Sequence, residues 1–140
     1  PSARPIISLI VLMDEKPLGH ILFTAVHLKP ETSHRASILA PLAVVPVYQR
    51  TGIGSMLVSE GLSNLARSGV NLVFVLGHPS YYPRFGFIPA GEKGFAAPYP
   101  IPEKNTDAWM VLSLRGELPA RYTGTVICAQ ALDHPEHWRE

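Results

Sequence analysis

The chain has 140 residues, 46% of them apolar and only 16% charged, which suits one domain with a real hydrophobic core and argues against disorder. A net charge of +1 gives no general attraction to nucleic acid or to an anionic membrane surface. The longest apolar runs are too short to cross a bilayer and the first residues do not resemble a signal peptide, so we expect a cytoplasmic domain that binds neither nucleic acid nor membrane.

The first third of the sequence is typical of antiparallel strands. Ile6–Met13 is an apolar run that ends at the turn residues Asp14–Pro17, and it predicts the first strand of a hairpin. Leu18–Leu28 predicts the returning strand. Ile38–Val47 is apolar at successive positions, so we expect a third strand that is buried on both faces at the centre of a sheet.

The pattern changes to a helical period between Thr51 and Arg67, and Gly69 ends the predicted helix. The apolar residues that fit one face of this helix are Ile53, Met56, Leu57, Leu65 and Ala66. Asn71–Leu76 follows as another buried strand. A strand, a helix and a strand at this spacing form a βαβ unit, which requires the two strands to be parallel.

The remaining chain predicts one loop and one strand. Pro89–Thr106 is rich in proline and glycine and predicts a long loop without a helix, and Asp107–Arg115 predicts the last strand. The fold class is therefore mixed α/β, with a central twisted sheet that has antiparallel strands at the front and a parallel βαβ core.

Two glycines, Gly52 and Gly54, lie where the third strand gives way to the helix, although glycine inside a helix costs about 1 kcal/mol relative to alanine. Glycine at such a junction permits positive backbone dihedral angles and close approach of a ligand. The amides of a first helical turn have no partner within the helix and favour an anion. The glycines alone leave two interpretations open, a phosphate site or a tight turn with close packing.

Two motifs in the expected order resemble the GNAT superfamily of N-acyltransferases, and in particular its YhbS-like branch. In PLAVVPVYQRTGIGSML (Pro41–Leu57), the segment Gln49–Gly54 is similar to the acetyl-CoA signature Gln/Arg-x-x-Gly-x-Gly/Ala. In VFVLGHPSYYPRFGF (Val73–Phe87), a strand ends in the element GxPxYYxRFGF. The resemblance extends from about Ile6 to the C-terminus and implies a single GNAT-like N-acetyltransferase domain.

Members of this superfamily normally begin with a further strand and one or two helices ahead of such a hairpin. We expect the present domain to lack that part. In the family the segment helps to wall the acceptor pocket, so its absence bears on the choice of substrate and leaves the cofactor half intact.

The resemblance implies acetyl-CoA, and hence coenzyme A, as co-substrate. Pro41 cannot donate a hydrogen bond within its strand, which predicts a bulge where this strand diverges from Asn71–Leu76. In the family the pantetheine arm pairs with the diverging strand and the pyrophosphate lies on the glycine turn. The cofactor-binding residues implied here are Leu42, Ala43, Val44, Gln49, Arg50, Thr51, Gly52, Ile53, Gly54 and Ser55. Of these, Gln49 is expected to orient the turn rather than to touch substrate.

For the chemistry, the resemblance implies direct attack of a primary amine on the acetyl thioester. Tyr82 aligns with the family tyrosine that precedes x-x-x-Gly-Phe, and we assign it as the general acid for the leaving sulfur. Proton transfer from a phenol of pKa about 10 to a thiolate of parent pKa about 8.5 is uphill by about 2 kcal/mol, so this help is modest. His78 is a candidate general base, although its turn could equally expose it to solvent. Tyr81 could cover the pantetheine arm or pack in the core, and we favour packing.

The acceptor is expected to be a small-molecule amine or a protein amine, and exposed strand edges allow a homodimer. No metal site is expected, because His134 and His137 have no third ligand beside them, and Cys128 is expected to be a small buried side chain. Two other classes stay open: a non-catalytic acyl-CoA-binding or regulatory module, and an unrelated nucleotide-binding βαβ protein.

Overall fold

The computed structural model of the chain describes residues 6–32, 34–116, 118 and 123–128. Within these ranges the helix α1 spans Ile53–Arg67. The strands are β1 (Ile6–Met13), β2 (Lys16–Lys29), β3 (Ala36–Val44), β4 (Leu72–Leu76), β5 (Ile88–Pro89), β6 (Phe95–Ala96), β7 (Trp109–Ser113) and β8 (Gly124–Ile127). No helix of the described residues is long and apolar enough to cross a bilayer.

The front of the sheet is antiparallel, as the sequence predicts. β1 and β2 form a hairpin whose two turn residues, Asp14 and Glu15, have φ angles of 51° and 67°. A two-residue turn with positive φ at both positions matches the twist of the flanking strands. β2 then pairs antiparallel with β3.

The centre of the sheet is the predicted βαβ unit. β3 pairs with β4 in parallel, α1 connects them, and β7 pairs with β4 in the antiparallel sense. The described strands follow the order β5-β7-β4-β3-β2-β8-β6, and β1 also pairs with β2. β3 therefore lies at the centre of the sheet, as predicted. It is buried on both faces only over Ala36–Leu39, and the expectation of full burial is wrong beyond that point, where Pro41 and Ala43 are exposed.

The prediction that Asp107–Arg115 holds the last strand is wrong, because β8 follows it. β8 pairs with only three residues of β2, His27–Lys29, on the edge that β1 occupies further along the strand. A strand of four residues carries too short an apolar pattern to be recognised in the sequence. The predicted third strand also ends earlier than expected, at Val44, because Pro46 begins a 3₁₀ turn.

One apolar layer lies between the sheet and α1. The residues of the helix that are buried there are Leu57, Val58, Gly61 and Leu65. The predicted face included Met56, which is 51% exposed, and omitted Val58, so that part of the prediction is wrong. Gly61 is buried because the ring of Phe23 in β2 occupies the space of a side chain at this position.

The second face of the sheet is covered by the proline- and glycine-rich loop. Phe74 of β4 stacks on Trp109 at 5.3 Å between ring centroids and meets Phe95 edge-on at 5.2 Å. The indole Nε1 of Trp109 donates a hydrogen bond to the carbonyl oxygen of Phe95 at 2.8 Å. The loop has no α-helix, as predicted, and contains short strands and 3₁₀ turns. Cys128 is buried in this layer, as expected.

Candidate functional site

A cleft opens in the sheet where β3 leaves β4. The parallel pairing of the two strands ends at Leu39 and Val75. Against β2, the register moves from Leu39 opposite Phe23 to Leu42 opposite Ile21, so β3 has one extra residue at this point. This irregularity confirms the bulge predicted from Pro41. Beyond it, β3 continues to Val44 bonded to β2 alone, among the described strands.

The first turn of α1 faces this cleft with its amides uncapped. Gly52 has φ of 94°, a left-handed value that glycine adopts without strain, and no side chain of the described part of the chain caps the helix. The first helical hydrogen bond runs from the amide of Met56 to the carbonyl oxygen of Gly52 at 3.0 Å. The amides of the three residues between them therefore have no helical partner, and the helix dipole adds a partial positive charge at this end.

The cleft has a volume of about 880 Å³. The described residues that line it are Leu42, Val44, Gln49, Arg50, Gly52, Gly54, Ser55, His78, Ser80, Tyr81 and Arg84. Two of them, Arg50 and Arg84, are exposed cations, and no carboxylate is among these lining residues. The cleft is thus suited to an elongated ligand that carries negative charge.

The structure brings together eight of the twelve residues that the sequence assigns to the site. Ala43 is exposed on β3 opposite His20, and Thr51 donates from its hydroxyl to the carbonyl oxygen of Tyr48. The side chain of Ile53 packs against the core layer beneath α1. These three side chains do not line the cleft, although their main chain belongs to the strand and turn that form it.

Gln49 holds the turn between β3 and α1. Its side-chain amide donates a hydrogen bond to the carbonyl oxygen of Val44 at 3.1 Å. This bond fixes the glycine turn relative to the end of β3, so that the two walls of the cleft keep a defined separation.

Tyr82 is the fourth predicted residue that does not line the cleft. Its side chain is 7% exposed and packs in the core layer, with Phe87 edge-on at 5.7 Å. A Cβ atom added at Gly77 would lie 2.4 Å from its ring, so the ring rests on the backbone directly after β4. The neighbouring His78 is exposed and lines the cleft.

Sequence reasoning missed two lining residues, Ser80 and Arg84, and favoured packing in the core for a third, Tyr81. The ring of Tyr81 packs edge-on against Tyr82 at 5.1 Å, as expected, but its hydroxyl also reaches the cleft, 3.4 Å from the Oγ of Ser55. The guanidinium of Arg84 lies 4.4 Å from the centre of the Tyr81 ring. The signal was available: residues three apart in a 3₁₀ turn share one face, and this segment forms the turn Tyr82–Phe85.

Within the described residues, no group of three or more His, Cys, Asp or Glu side chains is arranged to hold a metal ion. His134 and His137 lie outside the described residues.

The chain is similar to known proteins in sequence and in fold. Residues 2–87 match the model of the acetyltransferase (GNAT) family. The chain is 50% identical over 130 residues to YjhQ of Escherichia coli K12, named as an uncharacterised N-acetyltransferase, covering 91% of this chain and 71% of that protein. It is 37% identical over 82 residues to the N-acetyltransferase YhbS of the same strain, covering 58% of this chain and 48% of YhbS.

Two solved structures share the architecture. The crystal structure of YhbS from Escherichia coli in complex with CoA has a TM-score of 0.76 and 29% identity, covering 91% of this chain and 69% of that one. A GNAT acetyltransferase from Brucella melitensis in complex with acetyl-CoA has a TM-score of 0.71 and 29% identity, covering 94% of this chain and 70% of that one.

Proposed function

The chain belongs to the GNAT family of acetyltransferases and has its fold, and from this premise we propose that it transfers an acetyl group from acetyl-CoA to a primary amine. The acceptor amine is carried by a small molecule or by a protein. The donor is bound in the cleft between β3, the first turn of α1 and the segment after β4.

The observation that carries this proposal is the uncapped first turn of α1, which faces an open cleft without carboxylates among its described lining. A pyrophosphate accepts hydrogen bonds from such amides and is stabilised by the helix dipole. Arg50 lies in the same turn and adds a full positive charge. The CoA and acetyl-CoA complexes of the two structural neighbours support a ligand of this kind.

The pantetheine arm is proposed to lie along the end of β3. Residues Leu42–Val44 have no partner strand among the described residues on the side of β4, so their main-chain groups can pair with the amides of the arm as an added strand does. The carbonyl oxygen of Val44 accepts from Gln49 in the structure and has a second lone pair to offer. The thioester then comes to lie near the end of β4, beside Gly77 and His78.

The proposed chemistry is a direct transfer. The amine nitrogen bonds to the thioester carbonyl carbon, the carbon–sulfur bond breaks, and the sulfur leaves with the bonding electrons. His78, which lines the cleft, is proposed to take the proton that the amine loses. Tyr82, whose ring lies on the backbone after β4, is proposed to give a proton or a hydrogen bond to the leaving sulfur.

The experiment that tests this function measures thiol release from acetyl-CoA in the presence of a panel of small primary amines and of peptides with free amino groups. We expect at least one acceptor to accelerate release in proportion to enzyme concentration, with the acetylated amine as product. If the protein binds acetyl-CoA and no amine accelerates release, the non-catalytic acyl-CoA-binding module is the better account. If it binds neither acetyl-CoA nor CoA, the proposal fails.

A further inference from the structure

We infer that Arg84 binds the pyrophosphate of the donor together with the α1 turn, and that Tyr81 positions its guanidinium for this contact. This inference rests on the proposed function. It adds a phosphate ligand that comes from the segment after β4, outside the glycine turn.

The location of Tyr81 is the first step. Its hydroxyl lies 3.4 Å from the Oγ of Ser55 and 3.0 Å from the place that a Cβ atom at Gly54 would take. The tyrosine therefore spans the cleft from the segment after β4 to the first turn of α1. A ligand group that the amides of that turn hold lies close to Tyr81 and to the side chains that pack against its ring.

Arg84 is on that face. Its guanidinium carbon lies 4.4 Å from the centre of the Tyr81 ring, and its Nε donates to the carbonyl oxygen of Tyr81 at 2.9 Å. These two contacts fix the plane of the guanidinium. Its terminal nitrogens form no hydrogen bond or ion pair with any described residue, while the side chain is exposed and lines the cleft.

The chemistry of the group selects phosphate. A guanidinium presents a planar pair of donors that matches two phosphate oxygens, and orientation by an aromatic ring reduces the freedom lost on binding. Arg50 and the amides of the α1 turn supply positive charge from one element of the lining, and Arg84 supplies it from another, the segment after β4. A pyrophosphate diester carries two negative charges and is therefore matched by both elements.

The test compares Arg84→Gln with Arg67→Gln, which removes the same charge from an exposed arginine in the last turn of α1, away from the cleft. Calorimetric titration is carried out with CoA and with dephospho-CoA, which keeps the pyrophosphate but lacks the 3′-phosphate. We expect Arg84→Gln to weaken both ligands about tenfold, about 1.4 kcal/mol, and Arg67→Gln to leave both unchanged. The tenfold difference should shrink at high ionic strength.

Two results would overturn this assignment while the proposed function stands: unchanged affinity of Arg84→Gln for both ligands, or a loss confined to CoA, which would place Arg84 on the 3′-phosphate. Failure of the wild-type protein to bind either ligand would instead overturn the proposed function together with this assignment.

The positioning role of Tyr81 has its own measurement. In a double-mutant cycle, the loss of affinity caused by Arg84→Gln should be at least threefold smaller in a Tyr81→Leu background and unchanged in a Tyr81→Phe background, which keeps the ring. An equal loss in the Tyr81→Leu background would show that the tyrosine does not position the guanidinium. Tyr81→Phe also serves as the variant whose fold is least disturbed.

Discussion

Adjacent tyrosines after β4 point in different directions. The ring of Tyr82 is buried against Gly77, whereas the hydroxyl of Tyr81 reaches Ser55 on the far wall of the cleft. The difference arises because successive residues of a 3₁₀ turn are about 120° apart around its axis. We accordingly assign the two tyrosines, within the proposed function and the further inference, to different parts of the donor, Tyr82 to the thioester and Tyr81 to the phosphate end.

We predict that Tyr82→Phe lowers kcat for acetyl transfer about tenfold to a hundredfold and leaves the Kd of acetyl-CoA unchanged, because a general acid acts mainly on the leaving group. Tyr81→Phe should leave kcat within about threefold of the wild type. Steady-state rates and calorimetry on both variants check this. A loss of kcat in Tyr81→Phe alone would make Tyr81 the proton donor and Tyr82 a core residue.

For single residues, the sequence was informative where a backbone conformation favours one particular residue type. The left-handed backbone at position 52 favours glycine, and Pro41 lies at the bulge in β3. Arg84 carried no such constraint, since an arginine in a short polar segment is most often a solvated surface residue. Its spacing of three residues from Tyr81 is a sequence signal that becomes informative only once the 3₁₀ turn Tyr82–Phe85 is known.

The helix α1 packs closely on β2 at Gly61, its buried glycine. A Cβ atom at Gly61 would lie 2.2 Å from the ring of Phe23, which is fully buried, so the helix can approach the strand only without a side chain here. The sequence predicted the helix, but it identified the residues of its buried face only in part. Glycine has no hydrophobic signal, and Met56 and Val58 fit neighbouring faces equally well in a short pattern.

We predict that Gly61→Ala destabilises the protein by about 1–3 kcal/mol, although alanine is the better helix former by about 1 kcal/mol, because the overpacked ring of Phe23 has no space to move into. Urea unfolding measures the change. The control is Ser63→Ala, at an exposed position of the same helix, which should stay within about 0.5 kcal/mol of the wild type. If Gly61→Ala is as stable as the wild type or more stable, α1 packs less closely on β2 than the contact between Gly61 and Phe23 indicates.

The whole sheet is organised around the separation of β3 from β4. Their pairing over Ala36–Leu39 and Leu72–Val75 holds the βαβ unit together, and the bulge then turns the rest of β3 away. This half of the fold was predicted from the strand and helix periods, from Pro41 and from the pair Gly52 and Gly54. The other half, in which β6, β8 and the proline-rich loop cover Phe74 and Trp109, depends on contacts distant in sequence and had no local signal. The homodimer suggested by free strand edges stays a prediction.

In the proposed function, the first turn of α1 holds the pyrophosphate of an acyl-CoA. Calorimetric titration of CoA into wild-type protein, Gly54→Glu and the control Gly91→Glu tests this assignment. A carboxylate at position 54 should repel the pyrophosphate and interact favourably with the helix dipole, while its Cβ atom would lie 3.0 Å from the hydroxyl of Tyr81 and displace that hydroxyl slightly. Thermal unfolding of each variant shows whether α1 stays folded. Gly91 has open space around it and lies outside the cleft.

We predict that Gly54→Glu weakens CoA binding at least tenfold, about 1.4 kcal/mol or more, while still unfolding cooperatively on heating, and that Gly91→Glu binds as the wild type does. Wild-type affinity in Gly54→Glu would contradict the account, because the pyrophosphate would then lie away from the α1 turn.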